Sequence, residues 1–517
     1  MDSERTNPGE HAGNRSEQFT VRAGKLALMK EEGRDPFVVT SFPVTDRAAD
    51  IIGSFAEPEE KEVAIAGRIV NWRDMGKANF IDLADASGKI QVYVRGDAVG
   101  EETFARFKGW DIGDVVGVRG SVFKTRRGEI SVRASALELL AKALAPLPEK
   151  FHGLRDVETR YRQRYLDLMV NPAVKETFLA RTAVIKELRR FLDERGFLEV
   201  ETPVLLSVAG GAAARPFITR HNTLSIDMHL RISLELPLKR LIVGGFDKVY
   251  ELGRVFRNEG MNPTHNPEYT MLELYWAYVD FEAIMELTEE MIRQAAGAIL
   301  GESRIAVVEG VEYDLGKPFA RMSMRQAVRE YAGIDWNGIN SPEEAKALAK
   351  KHGIAVEERH LSGDILNLFF EKYCEHRLVQ PTFITGHPVE ISPLAKRMPD
   401  DPGYTERFEL FIGGHELGNA FTELNDPLDQ RERFITQAKL KAAGDEEANE
   451  IDEDFLTALE YGIPPTGGLG IGVDRLVMLL TGNPSIRDVI LFPTMKPLKA
   501  EALRESGTEE DCENNSG

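Results

Sequence analysis

Cysteine is the scarcest residue of the chain, with two, Cys374 and Cys512, among 517. Two thiols so far apart, without histidines at ligand spacing, exclude a disulfide framework and argue against a thiolate zinc site, so reduced thiols are expected. Long hydrophobic runs are also missing. No stretch of eighteen apolar residues occurs, and the opening MDSERTNPGEHAGNRSE has neither a basic n-region nor an apolar h-region, which reads as cytoplasmic. No Gly-Lys-Ser/Thr follows the glycines near residue 470, and no GxGxxG follows an early strand, which excludes a Walker loop and disfavours a Rossmann dinucleotide site. Positive charge is in deficit overall, 64 Lys and Arg against 84 Asp and Glu, for a net −20. That deficit is uneven: residues 61–145 hold 14 basic and 11 acidic side chains, a local +3 that leaves −23 elsewhere. A small basic domain is compatible with nucleic acid, although ordinary surface charge explains the excess equally well.

What is present is enough for several buried cores: 517 residues, 42% of them hydrophobic, suggest two to four domains. Residues 1–60 read as an N-terminal extension, polar and disordered over 1–18, with a helix over 19–33 that Gly33 closes. From 61 to 145 the chain alternates as strands do, in five runs with one helical piece at 101–109. Five strands in so short a span suit an OB-type barrel, whose strand face holds single-stranded nucleic acid by stacking bases on aromatic rings. Phe80 and Tyr93, near Arg73 and Gln91, are candidates for that platform, although barrel-core packing is the favoured reading for either ring alone. A Pro- and charge-rich linker (146–160) leads into 161–498. There, a helix within 177–195 ends at Gly196 and is followed by the strand GFLEVETPVL, while 319–379 reads as a mainly helical insertion. Residues 499–517 read as a disordered acidic tail.

Three constellations carry chemistry. In VFRNEGMNPTHNPEYTMLELYWAY, Arg257 and Glu259 precede a Gly/Asn/Pro loop, and Tyr269, Met271, Glu273 and Tyr275 alternate after it. Such a β-hairpin aims a cation, carboxylates and rings into one space. An exposed salt bridge is the bland alternative, and the flanking apolar runs argue against it. In RFELFIGGHELGNAFTELND, a Gly413-Gly414 turn places Glu409 and Glu416 on one face. A β-bulge at Gly418 is expected to bring Asn419, Phe421 and Glu423 to that same face. Paired carboxylates without nearby His or Cys suit Mg²⁺ carried on a phosphate substrate. In GLGIGVDRLVMLL, Gly468, Gly470 and Gly472 leave a strand face without side chains before Asp474-Arg475 open a helix.

In this order the segments resemble the three signature motifs of class II aminoacyl-tRNA synthetases: GFLEVETP with its preceding helix, VFRNE…HNPEYTMLE, and GLGIGVDR. The resemblance covers roughly residues 20–498. Strings such as GGAAARPF, MGKANFIDL and QPTFIT are similar to lysyl-tRNA synthetases in particular. It implies an α+β protein, an N-terminal OB-fold β-barrel followed by a catalytic domain with an antiparallel sheet flanked by helices, and a homodimer. The implied activity is a ligase, lysine–tRNA ligase, forming lysyl-adenylate from ATP and transferring lysine to the 3′ end of tRNA(Lys). By resemblance, Arg257, Glu259 and Arg475 are catalytic, and His265, Asn266, Tyr269 and Met271 join them around ATP. Gly211, Glu235, Glu273, Tyr275, Asn419, Phe421 and Glu423 surround lysine with Arg257. Glu409 and Glu416 hold Mg²⁺, up to three ions entering with ATP, and Arg73, Phe80, Gln91 and Glu129 read the anticodon. An aspartyl or asparaginyl enzyme would share the architecture, but Glu273 and Glu423 suit an ammonium and not a carboxylate. A non-catalytic tRNA-binding paralogue is the alternative from another class.

Overall fold

The computed structural model describes residues 17–56, 60–148, 154–339, 341–442 and 450–498. The expectations placed on residues 1–16, on 149–153 of the linker and on the tail 499–517 lie outside the described residues. Among the described residues two compact units are present, one up to Thr159 that also takes in 497–498, and one over Arg160–Lys496.

In the first unit, the helix Glu17–Glu31 ends just before Gly33, whose φ of +71° supplies the left-handed residue that stops a helix. Five strands follow: β1 (Glu62–Asp74), β2 (Ala78–Ala84), β3 (Lys89–Arg95), β4 (Val115–Lys124) and β5 (Ile130–Ala141). They close in the order β1-β2-β3-β5-β4, which leaves no unpaired sheet edge. Alternation explains the core, since Ile81 and Leu83 of β2, Val92 and Val94 of β3 and Val116 and Val118 of β4 are all buried. Each such side chain contributes roughly 1.5–3 kcal/mol. The expected helical piece forms over Glu101–Phe107. Bulges bend the barrel, one at Arg119/Gly120, where a Cβ on Gly120 would overlap the Arg133 carbonyl.

The second unit is built on an eight-stranded sheet. Its centre is the antiparallel succession Arg407–Ile412, His415–Thr422, Thr466–Gly472, Glu268–Ala277 and Lys248–Phe256. The ends depart from the antiparallel expectation: Ala320–Ser323 pairs parallel with Thr382–Thr385, and Leu198–Glu199 parallel with Lys248–Phe256. The strand expected over GFLEVETPVL is thus only two residues long in this sheet. The chain leaves it before Pro203, and Leu205–Leu206 joins a separate three-stranded sheet. The helices Pro172–Asp193 and Phe281–Leu300 contribute Leu188, Phe191, Met291 and Ile292 to the core cluster that also holds Leu272, Leu274, Leu469 and Ile471 of the sheet. Residues 319–379 are mainly helical as expected, with a core of their own around Trp336, Phe369 and Phe370. Among the described residues, no helix is long and apolar enough to cross a membrane.

One buried carboxylate ties the three motif segments together. Asp474 accepts from the Thr270 amide at 2.6 Å and from the Arg181 guanidinium, while Arg181 also donates to Thr270 Oγ1 at 3.0 Å. Arg181 lies on the first helix, Thr270 on the second motif's strand and Asp474 at the head of the third motif's helix. Removing a single partner would strand a charge in the interior.

Candidate active site

The strand Glu268–Ala277 pairs on one side with Lys248–Phe256 and on the other with Thr466–Gly472, which puts Glu273 opposite Gly470 and Tyr275 opposite Gly468. The same glycine strand faces His415–Thr422, with Phe421 opposite Gly468 and Asn419 opposite Gly470. Bare glycines between two functional strands open a cavity of about 400 Å³. A Cβ on Gly468 would overlap Glu423 Oε1 and stand 2.6 Å from Tyr275 Cε1. On Gly470 it would meet Met271 Cε at 3.0 Å. The absent side chains therefore make room for Glu423, Tyr275 and Met271.

The bulge in His415–Thr422 is present. Phe411 faces Glu416 and Leu410 faces Gly418, so Leu417 is the extra residue, next to the glycine expected to carry it. Gly413 and Gly414, with φ of +64° and +75°, form the two-residue turn. Glu409, Glu416, Asn419, Phe421 and Glu423 all line the cavity as a consequence. Arg257 and Glu259 line it too, from the loop just beyond the strand that ends at Phe256.

One end of the cavity is cationic. The Arg257 guanidinium lies 5.6 Å from the Tyr269 ring centre, and Arg475 donates to His265 Nε2 at 3.0 Å and to the Glu416 carbonyl. Burial lowers the pKa of His265, and Arg475 and Arg257 lower it further, which keeps the imidazole neutral. Asn266 is buried and donates to the Glu268 carbonyl at 2.7 Å, which fixes the loop. Burial and the neighbouring Glu409 raise the Glu416 carboxyl, whereas Arg407 pairs with Glu409 and donates to Asn419 Oδ1 at 3.0 Å. Among the described residues no group of three or more acidic, His or Cys side chains could hold a metal. Two hard carboxylates on one face fit an ion whose remaining ligands come from a phosphate.

The other end is anionic and closed. Glu273 Oε1 accepts from Ser233 Oγ at 3.0 Å and from the Leu234 amide at 2.9 Å, and Tyr275 donates to Oε2 at 3.2 Å. Burial nevertheless pushes its pKa to about 7. Glu235 heads the helix Glu235–Val243, and Gly211, at φ +89°, packs so closely that its Cβ would stand 3.0 Å from Ser233 Oγ and 3.1 Å from Glu235 Cβ. Burial raises both Glu235 and Glu423. Behind them stands Lys239, 1% exposed, paired with Glu235 at 2.5 Å and with Glu423. Burial disfavours its charge, but the two carboxylates more than offset that and hold its pKa above the ordinary value. Lys239 thus serves two buried carboxylates, while Glu273 is held by neutral donors alone.

Every site residue expected in the second unit lines this cavity. Sequence reasoning missed Lys239, Ser233 and Arg407. Lys239 had a signal, a lone lysine four residues after Glu235 in an apolar helix. Arg407 likewise alternates with Glu409 on a strand.

The barrel carries a second candidate surface. Arg73 on β1 faces Phe80 on β2, which faces Tyr93 on β3. Phe80 and Tyr93 have ring centres 5.0 Å apart, and Phe123 lies 6.0 Å beyond Tyr93. None of these three rings belongs to the barrel core cluster, so core packing does not explain them. Arg73 lies 5.9 Å from the Phe80 ring and Arg133 4.8 Å from that of Phe123. Gln91 is buried, donating to Glu129 at 2.8 Å and accepting from Ser131 at 3.0 Å, so these two candidates act as a pair.

A family model described as tRNA synthetases class II (D, K and N) matches residues 156–496, and one described as OB-fold nucleic acid binding domain matches 63–140. The chain belongs to the class II tRNA synthetases of this group. Its similarity is more specific than that. The lysine–tRNA ligase of Thermoanaerobacter pseudethanolicus is 55% identical over 482 residues, spanning 93% of this chain and 96% of the relative. That of Bacillus subtilis is 54% identical over 488 residues, spanning 93% and 97%.

Proposed function

We propose that this chain joins L-lysine to tRNA(Lys) at the expense of ATP, releasing AMP and pyrophosphate. The observation that carries the reading is the closed end of the cavity, where buried Glu235 and Glu423 share one lysine and buried Glu273 is held by neutral donors alone. An ammonium-bearing substrate completes that charge, and an aspartate or asparagine side chain would not.

In the first step, the lysine carboxylate attacks the α-phosphorus of ATP; a carboxyl–phosphate bond forms and pyrophosphate leaves. Arg257 bridges the incoming carboxylate and the α-phosphate, so the developing charge meets a fixed cation, and no protein nucleophile is required. Tyr269 and Arg475 hold the adenine between them, Glu259 accepts from its amino group, and Met271 packs against it. His265 and Asn266 face phosphate and ribose. Glu273 and Glu423 take the ε-ammonium with Tyr275, Phe421 walls the methylene stem, and Gly211, Glu235 and Asn419 orient the α-amino and carboxylate end. Glu409 and Glu416 would hold Mg²⁺, whose chemistry is to neutralise triphosphate charge. In the second step, a 3′-terminal ribose hydroxyl attacks the lysyl carbonyl and AMP departs.

On the barrel, Phe80 and Arg73 stack a base of a U-rich anticodon, and the Gln91–Glu129 pair meets base edges. We also propose a homodimer in the cytoplasm. The exposed Leu179 and Leu198, on the helix and short strand of the first motif, fit such a contact, and sedimentation velocity tests it. ATP–pyrophosphate exchange without tRNA, run against all twenty amino acids, tests the activity. Exchange selective for lysine is expected; exchange with aspartate or asparagine, or with none, would overturn it.

A further inference from the structure

The mechanism above leaves Lys239 unused, although it is one of the largest fully buried side chains in the protein. It arises from the helix Glu235–Val243, and its ammonium lies in an aromatic sleeve of two rings, with Nζ 5.4 Å from the Phe421 ring and 5.8 Å from that of Phe455. It stands behind the cavity wall. Glu235 and Glu423 are the lining groups, and Lys239 grips one oxygen of each, Glu235 Oε1 and Glu423 Oε2. Among the described residues neither oxygen of Glu423 has a hydrogen-bond partner of good geometry; Lys239 reaches Oε2 as an ion pair, and Oε1 has no partner of either kind. An orphaned carboxylate oxygen in the interior is costly unless a ligand completes it.

Resting on the assignment of this end to lysine, we propose that Lys239 is a positioning residue for amino-acid selection: it clamps Glu235 and Glu423 by one oxygen each and presents Glu423 Oε1 to the substrate ammonium. The clamp also sets the charge. With Glu273 included, three carboxyl groups face one lysine, and each that ionises beyond the charge of Lys239 calls for an ammonium from the substrate. Free lysine brings two ammonium groups, while its carboxylate lies at the Arg257 end. A substrate with only an α-amino group, such as norleucine, leaves one carboxylate unpaired and is rejected on charge. Without Lys239, Glu423 and Glu235 repel each other at close range, and one of them takes a proton or turns away, so the oxygen facing the substrate is no longer fixed.

Full-length Lys239→Ala tests this, with Lys239→Met and Glu423→Gln beside it, in lysine-dependent ATP–pyrophosphate exchange. The KM for lysine should rise at least about 30-fold in Lys239→Ala, and that for ATP no more than about twofold. Propylammonium supplies the three carbons and the nitrogen that alanine lacks. It should recover part of the lost lysine affinity in Lys239→Ala, but none in Lys239→Met, where the sleeve stays filled, or in Glu423→Gln. An unchanged KM for lysine in Lys239→Ala would overturn the proposal. So would parallel losses for lysine and ATP without amine rescue, which would make Lys239 an ordinary structural support. If Lys239→Ala does not fold, the same split between lysine and ATP is read from Lys239→Met, and equal rises overturn the proposal. Failure of the unmodified protein to exchange with lysine would instead overturn the functional assignment beneath it.

Discussion

Two lysines are buried to the same degree in this chain and do different things. Lys142, in the barrel unit, pairs with Asp114 through both carboxylate oxygens at 2.9 Å and with Asp111 at 2.6 Å. Asp114 is further satisfied by the Ala143 and Asp111 amides, each at 2.9 Å, and Lys25 neutralises Asp111. Two lysines thus meet two aspartates. Lys239, in the catalytic unit, meets an excess of carboxylate and leaves Glu423 Oε1 without a partner. A buried charge that is fully paired is architecture. One whose surroundings are incomplete is part of a binding site, because a ligand lowers its energy.

The sharpest way to break the comparison is Lys142→Ala. It should destabilise the protein by about 3–5 kcal/mol, because Asp114 then loses the buried ammonium that pairs with both its oxygens. Lysine exchange per folded molecule should stay unchanged, as chemical denaturation and exchange kinetics on the same preparation would reveal. Lost exchange in the folded fraction would erase the distinction between the two lysines.

Gly468→Ala probes the catalytic unit without removing a charged side chain. The new methyl overlaps Glu423 Oε1 and crowds Tyr275, so packing strain of roughly 1–3 kcal/mol should fall on lysine affinity. Gly470→Ala crowds the flexible end of Met271 at 3.0 Å, meets Glu273 Cγ and the Asn419 carbonyl only at ordinary contact distance, and should be milder. The ratio of the two KM values for lysine measures how tightly the glycine strand is fitted to the carboxylates.

Phe80→Ala should separate the barrel face from the cavity. Exchange without tRNA is expected to be unaltered, while aminoacylation loses the stacking of one base, about 1–3 kcal/mol. Filter binding of tRNA(Lys) transcripts checks it.

The smallest effect is the pH dependence of the pocket. Burial raises Glu273 from its ordinary 4.5 to about 7. Between those values the folded protein keeps a proton that the unfolded chain has released, so the unliganded fold loses stability as pH rises through that window. A substrate ammonium favours the ionised form, so the KM for lysine should fall as pH rises from about 6 towards 7, by at most about tenfold per pH unit. A pH series of exchange assays, with thermal shifts in the presence and absence of lysine, checks both signs.

Much of this was legible in the chain. Alternation placed Tyr269, Met271, Glu273 and Tyr275 on one face, since strand side chains alternate whatever the tertiary context. The Gly-Gly turn fixed the hairpin, and a glycine marked its bulge to within one residue. Five short amphipathic runs gave the barrel. Sequence by itself therefore determined the elements, their facing residues and, through its motif strings, the family. Only the tertiary structure decided that Phe80, Tyr93 and Phe123 lie outside the barrel core, because one face of a strand becomes inside or outside only when the barrel closes. It likewise decided that the first-motif strand shrinks to Leu198–Glu199, because short parallel pairing depends on a neighbouring strand far along the chain. Above all it decided the partnership of Lys239 with Glu423. Those residues sit on separate elements, and whether a buried charge is paired depends on which elements pack together.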